Sequence, residues 1–307
     1  MFLAGTLTIF FKVSEFSASL LNIIRERKFN AIIGAIERYS FIVAILVLMY
    51  LKILTLEKVL IAYIILSIIF GLFKFRKFSP SSSTVASNPT FEKEVKKKIY
   101  LYVWPFIVWG ISSWLQLNGE KWVIANYLSA ADLGVYAVML NIINAMISFP
   151  TYFITDFFTP HIFKNFSGSE AKSTVRAGYN YILINLGIVI VLILAAFLLS
   201  LLFGELFVKT ISSDIYLESV ELLPYLTIGT GFFYIGHVLT NVGLALGKTK
   251  AYIIPKVGAG ILSLILNIVL IRYYGLAGIT IAINITGFIY VSYLLVINKK
   301  LLGEIEK

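Results

Sequence analysis

Chemistry in this sequence is confined to the few ionisable and amide side chains that interrupt its apolar runs. Lys12 and Glu15 stand three apart in FLAGTLTIFFKVSEFSASLL, so a helix would set them on one face as a pair. Asn118, Glu120 and Lys121 cluster around Gly119. Asn141 and Asn144 share one apolar run, and His237 has Asn241 one turn beyond it in another. Ionisable groups inside hydrocarbon are costly, so each of these residues is a candidate to line a polar cavity. The alternative is structural: a self-neutralising pair at Lys12 and Glu15, a turn at Gly119, and helix–helix hydrogen bonds for the amides and His237. Asp156 and His161 flank Pro160 and read as an interfacial helix end or a gate. Arg25, Arg27 and Lys28 have the forked and point charges that suit phosphate oxygens, but the same residues also mark a membrane-flanking loop. Two histidines and no cysteine leave no metal-ligand spacing and no thiol chemistry, and no nucleophile elbow occurs. No catalytic residue, metal ligand or cofactor site is assigned.

The elements that carry these residues follow from composition. Hydrophobic residues make up 59% of the chain and charged residues 14%. A soluble domain is about 25% charged, so this is an integral membrane protein, all-α. Apolar runs long enough to cross a bilayer lie near 2–23, 33–51, 58–73, 99–128, 133–158, 179–203, 221–246, 253–271 and 276–297. That makes about nine transmembrane helices. The run 99–128 is overlong, and is either one tilted helix or a helix that ends near Gly119. One polar segment, Lys74 to Lys98, divides three spans from six. Its Ser- and Pro-containing centre, SPSSSTVASNP, reads as a flexible linker. The expected organisation is a three-helix unit at 1–74, a linker at 75–98, a six-helix unit at 99–298 and a tail at 299–307.

Charge placement sets the expected orientation. Twenty of the 26 basic residues fall, by parity, on the side of the linker and the C-terminus. Lysine and arginine concentrate in cytoplasmic loops, so that side is expected to be cytoplasmic. The net charge of +10 is therefore a topology signal and not a nucleic-acid footprint. The three-span pattern of 3–74 recurs at 221–298, with RERKFNAII (25–33) falling on GKTKAYIIP (247–255) and Lys28 on Lys250. Repeats of this kind are common in transporters. If the repeat holds, the first unit lacks counterparts of the three spans in 99–203, which would precede Met1.

Three stretches carry a family resemblance. They are Asp132-Leu133-Gly134-Val135-Tyr136-Ala137, then Gly247-Lys248-Thr249-Lys250 with LSLILNIVLI and Tyr274-Gly275-Leu276-Ala277-Gly278 behind it, and Pro160 before a basic loop. In order and spacing the chain resembles the polysaccharide flippases (Wzx-type, O-antigen and capsule) of the multidrug/oligosaccharidyl-lipid/polysaccharide exporter superfamily. The resemblance implies two six-helix lobes with alternating access, of which this chain would be a six-helix C-terminal lobe and a three-helix remnant of the N-terminal lobe. It implies a multi-pass protein of the inner membrane that flips undecaprenyl-pyrophosphate-linked oligosaccharide and has no enzymatic role. H+ or Na+ coupling and contact with membrane lipid and other polysaccharide-assembly proteins would follow. The alternatives are a lipid II flippase or drug exporter of the same superfamily, a non-transporting remnant, and a membrane polymerase or acyltransferase.

Overall fold

Long apolar stretches with few helix breakers leave the backbone one way to satisfy its hydrogen bonds in lipid, the α-helix. The computed structural model describes residues 2–23, 26–77, 89–167, 172–217 and 219–306, and among these residues no strand occurs. The chain divides into two compact units, Met1–Ser87 and Asn88–Lys307.

The first unit holds α1 (Phe2–Ile23), α2 (Arg27–Tyr50) and α3 (Leu56–Lys77). Helix α3 packs against both α1 and α2. The unit is polar inside and apolar outside. Its buried side chains include Ser14, Ser17, Glu37, Ser67 and Lys74, while Ile32, Ile42, Val43, Leu46 and Leu72 face outward. That inversion suits lipid, where apolar contact does not drive helices together and polar contact does. Phe41 and Tyr63 stack face to face at 4.2 Å between α2 and α3.

The second unit holds α4 (Pro89–Tyr127), α5 (Ala130–Ile143), a π-helical segment (Asn144–Ser148), α6 (Phe149–Ser167), α7 (Lys172–Ile211), α8 (Leu223–Ala245) and α9 (Ile253–Glu306). Pro89 opens α4, so Pro89 to Lys98 of the polar stretch form helix and not linker, whereas 78–88 lie outside the described residues. Helix α4 also runs unbroken past Gly119, which selects the single-helix reading of 99–128. Ser129 caps α5 by accepting from the Asp132 amide at 3.1 Å, and Asp132 accepts the Ser129 amide at 2.9 Å, a reciprocal capping box.

Among the described residues, six helical stretches are long and apolar enough to span a bilayer. One of them, Thr249–Glu304, is two spans, because Gly275 breaks α9 with φ 55° and ψ −134°, a conformation essentially reserved for glycine. Helix α8 lies among α6, α7 and α9. Its glycines permit that position: a Cβ on Gly231 would meet Ile193 at 2.6 Å, and one on Gly236 would meet Tyr290 at 2.4 Å. Gly247, at φ 69°, ends α8 through a Schellman pair in which the Lys248 amide donates to Gly243 O at 2.7 Å and the Gly247 amide to Leu244 O at 3.1 Å. The GKTK stretch is thus a helix terminator followed by the 3-10 turn Thr249–Tyr252.

Candidate functional site

Helix α6 and the π segment before it present Asn144, Ser148, Tyr152 and Asp156 at four-residue intervals, which places them along one side. Helix α8 answers with Tyr234 and His237, three apart. The two rows meet. The hydroxyls of Ser148 and Tyr234 are hydrogen-bonded, and Ser148 Oγ donates to Asn144 Oδ1 at 2.7 Å. The Tyr152 ring stands edge-on to Tyr234 at 5.8 Å and to His237 at 5.4 Å. Asn144, Tyr152 and Asp156 are exposed, while Ser148 is buried and His237 half-buried. The result is a polar track with one open edge, about 18 Å long at the rise of a helix. It offers amide, hydroxyl, imidazole and carboxylate groups to a ligand. The π segment begins at Asn144 itself, and such segments are frequent at functional positions.

The other face of α6 is closed. Asn185 of α7 donates to Thr155 Oγ1 at 3.4 Å, and Thr151 Oγ1 and Asn185 Oδ1 have no partner among the described residues. Asn141 is exposed on α5 beside the track, and Asn241 is turned back on its own helix, donating to Val238 O at 3.2 Å.

Glu120 is enclosed in the second unit, where the Tyr136 hydroxyl of α5 donates to it. Its neighbours on α4 differ: Asn118 bonds the Trp114 carbonyl at 3.1 Å, and Lys121 is half-exposed. The expected grouping of Asn118, Glu120 and Lys121 is therefore split between core and surface. His161 stacks on Tyr181 at 5.5 Å, away from the track's ring contacts.

Two lysines counted as loop charges belong to the interior. Lys256 is buried near the start of α9, donating to Gln116 Oε1 at 3.2 Å. Its ammonium lies 5.9 Å from the Trp109 ring centre, 5.9 Å from Phe233 and 5.5 Å from Tyr290. Three aromatic faces take the place of a counter-ion, and the contacts tie α4, α8 and both halves of α9 together. In the first unit, Lys74 Nζ donates to Glu37 Oε2 at 2.5 Å and to Ser14 Oγ at 3.1 Å, and Ser14 Oγ donates to Glu37 Oε1 at 2.9 Å. Glu37 within the apolar run 33–51 was the available signal, since an acid there needs a partner. Removing Lys74 and Lys256 leaves eighteen of the twenty charges on the side expected to be cytoplasmic.

Lys12 and Glu15 form the expected pair at 2.6 Å, on an exposed face of α1. Lys28 is exposed in the first turn of α2, Arg27 opens that helix, and Arg25 lies outside the described residues.

No protein-family model matches the sequence, and no curated protein matches it significantly. Among solved structures, a MOP superfamily transporter from Pyrococcus furiosus superposes with a TM-score of 0.65 at 14% identity, covering 91% of this chain and 63% of the other. The lipid II flippase MurJ in an inward closed conformation superposes with a TM-score of 0.64 at 19% identity, covering 99% of this chain and 64% of the other. The chain shares the fold of these two structures. It spans less than two thirds of the length of either MOP structure. The polar track belongs to the second unit, which begins at α4.

Proposed function

We propose that the chain works in a flippase that moves an undecaprenyl-pyrophosphate-linked oligosaccharide repeat unit across the cytoplasmic membrane for surface polysaccharide assembly. The observation that carries this reading is the open polar track along α6 and α8, set in otherwise largely apolar helices. Sugar hydroxyls can exchange water for its amide and hydroxyl groups, while the lipid tail stays in the bilayer. Arg25, Arg27 and Lys28 of the first unit are the sequence's candidates for a pyrophosphate head group. A second reading, lipid II as cargo, shares the same polyprenyl pyrophosphate and is favoured by the likeness to MurJ.

Fluorescent lipid-linked oligosaccharide and lipid II, each in vesicles reconstituted with the chain, separate the two readings. The combined change Asn144→Ala with Tyr152→Phe removes two hydrogen-bonding groups from the exposed edge. It should slow flipping of the preferred cargo about tenfold at unchanged reconstitution yield. An unchanged rate for both cargoes would remove the track as the transport path.

The cytoplasmic assignment of the linker and tail makes a further prediction. Single cysteines at Ser83, outside the described residues, and at Ser213, exposed beyond α7, should react with an impermeant maleimide from opposite sides of intact cells. Labelling of both from outside would overturn the topology and the lobe assignment with it.

A further inference from the structure

A cavity of about 790 Å³ opens where α7 ends and α8 begins, outside the polar track. Its charged lining is Glu205 and Lys209 from the last turns of α7 and Glu221 from the 3-10 turn Val220–Leu222. Leu222 and Tyr225 line it and also a second cavity of about 270 Å³ that continues between α8 and α9 past Ala277, Ile281 and Ile285. The two cavities adjoin at Leu222 and Tyr225, and taken together as a crevice they offer a charged head beside an apolar tail.

We propose that this crevice binds a zwitterionic aminophospholipid of the surrounding membrane. The proposal is independent of which cargo the polar track carries. Its first support is charge. Glu205 and Lys209 are 3.8 Å apart, longer than the 2.7–2.9 Å of a settled charge-assisted bond, and both remain largely exposed. A phosphodiester fits Lys209, and a primary ammonium fits Glu205 and Glu221. A choline head cannot donate the hydrogen bonds that the carboxylates accept, and an anionic glycerol head has no cation to offer them.

Depth is the second support. The crevice lies where the apolar run 179–203 ends, and the exposed Tyr225 ring at the start of α8 marks the headgroup level where aromatic side chains collect. The tail region is the third. Its two polar side chains are already engaged with backbone: Thr280 Oγ1 donates to Leu276 O at 3.2 Å, and Asn284 Nδ2 to Tyr225 O at 3.0 Å. What the groove presents to an acyl chain is therefore hydrocarbon.

The test is native mass spectrometry of the delipidated full chain with phosphatidylethanolamine, phosphatidylcholine and phosphatidylglycerol of identical acyl chains. Phosphatidylethanolamine should be retained about fivefold better than the other two, as expected of exposed ion pairs. Glu205→Gln with Glu221→Gln should erase that preference without removing non-selective adducts. Ala277→Trp, which fills the tail groove, should reduce occupancy by phosphatidylethanolamine on the otherwise unchanged chain. Equal retention of the three lipids overturns the proposal. So does a preference for the anionic lipid, a preference that survives the double substitution, or a dimer that excludes lipid from the crevice.

Discussion

Lys74→Met is expected to destabilise the chain by about 3–5 kcal/mol, because it leaves the Glu37 carboxylate enclosed with only Ser14 to serve it. Glu37→Gln should be costly for the mirror reason, stranding the ammonium of Lys74, a residue only 3% exposed in the native chain. The informative variant is the double substitution Glu37→Gln with Lys74→Met. An ion pair in a low-dielectric interior repays its desolvation poorly, so an uncharged pair of similar volume should recover most of the loss. Thermal unfolding of the detergent-purified protein, arranged as a double-mutant cycle, gives the coupling directly. Single variants that unfold with the native protein, or losses that simply add, would show that the Ser14–Glu37–Lys74 contact does not hold the three helices.

The corner in α9 supplies the second large effect. A Cβ on Gly278 would lie 2.3 Å from Leu270 O and 2.5 Å from its carbonyl carbon. Backbone cannot swing aside as a side chain can. Gly278→Ala must therefore separate the 253–274 and 276–306 halves where the chain doubles back at Gly275, at a cost of about 3 kcal/mol. Gly258→Ala in the same helix is the control. Nothing lies within 4 Å of its Cβ, so alanine there should be neutral or stabilise by up to about 1 kcal/mol through helix propensity. Parallel unfolding curves for the two variants would refute the corner as drawn.

The helical membrane fold was legible because bilayer thickness imposes a length on each apolar run, and the nine runs read from 2–23 to 276–297 each fall on helix. Partnership between helices was not legible. Lys74 and Lys256 sit at span ends, where a long side chain can reach outward to water or inward to a partner, and sequence position is the same in both cases. Only Glu37 across the first unit, and the Gln116, Trp109, Phe233 and Tyr290 cage in the second, decide the inward direction. The track was half visible. Asn144 and His237 stand out as polar groups in apolar runs, whereas Ser148, Tyr152 and Tyr234 are ordinary membrane residues until the two helices are laid together. The helical start at Pro89 was hidden by the lysines that follow it, which read as loop by composition although lysine is a good helix former.

The π segment at Asn144–Ser148 has a meaning in phase. Six turns of α-helix take about 22 residues, yet Met139 and Ile162, both facing the same core, are twenty-three apart. The core-facing positions run 139, 143, then 147, 151 and 155, one place later beyond the segment than an uninterrupted helix would set them. The segment acts as a vernier, absorbing one residue without adding a turn. Each residue of an α-helix is worth about 100° of azimuth. Everything downstream is thereby rotated by that angle relative to α5, and this one-residue slip turns Tyr152 toward α8 while Thr151 and Thr155 stay buried.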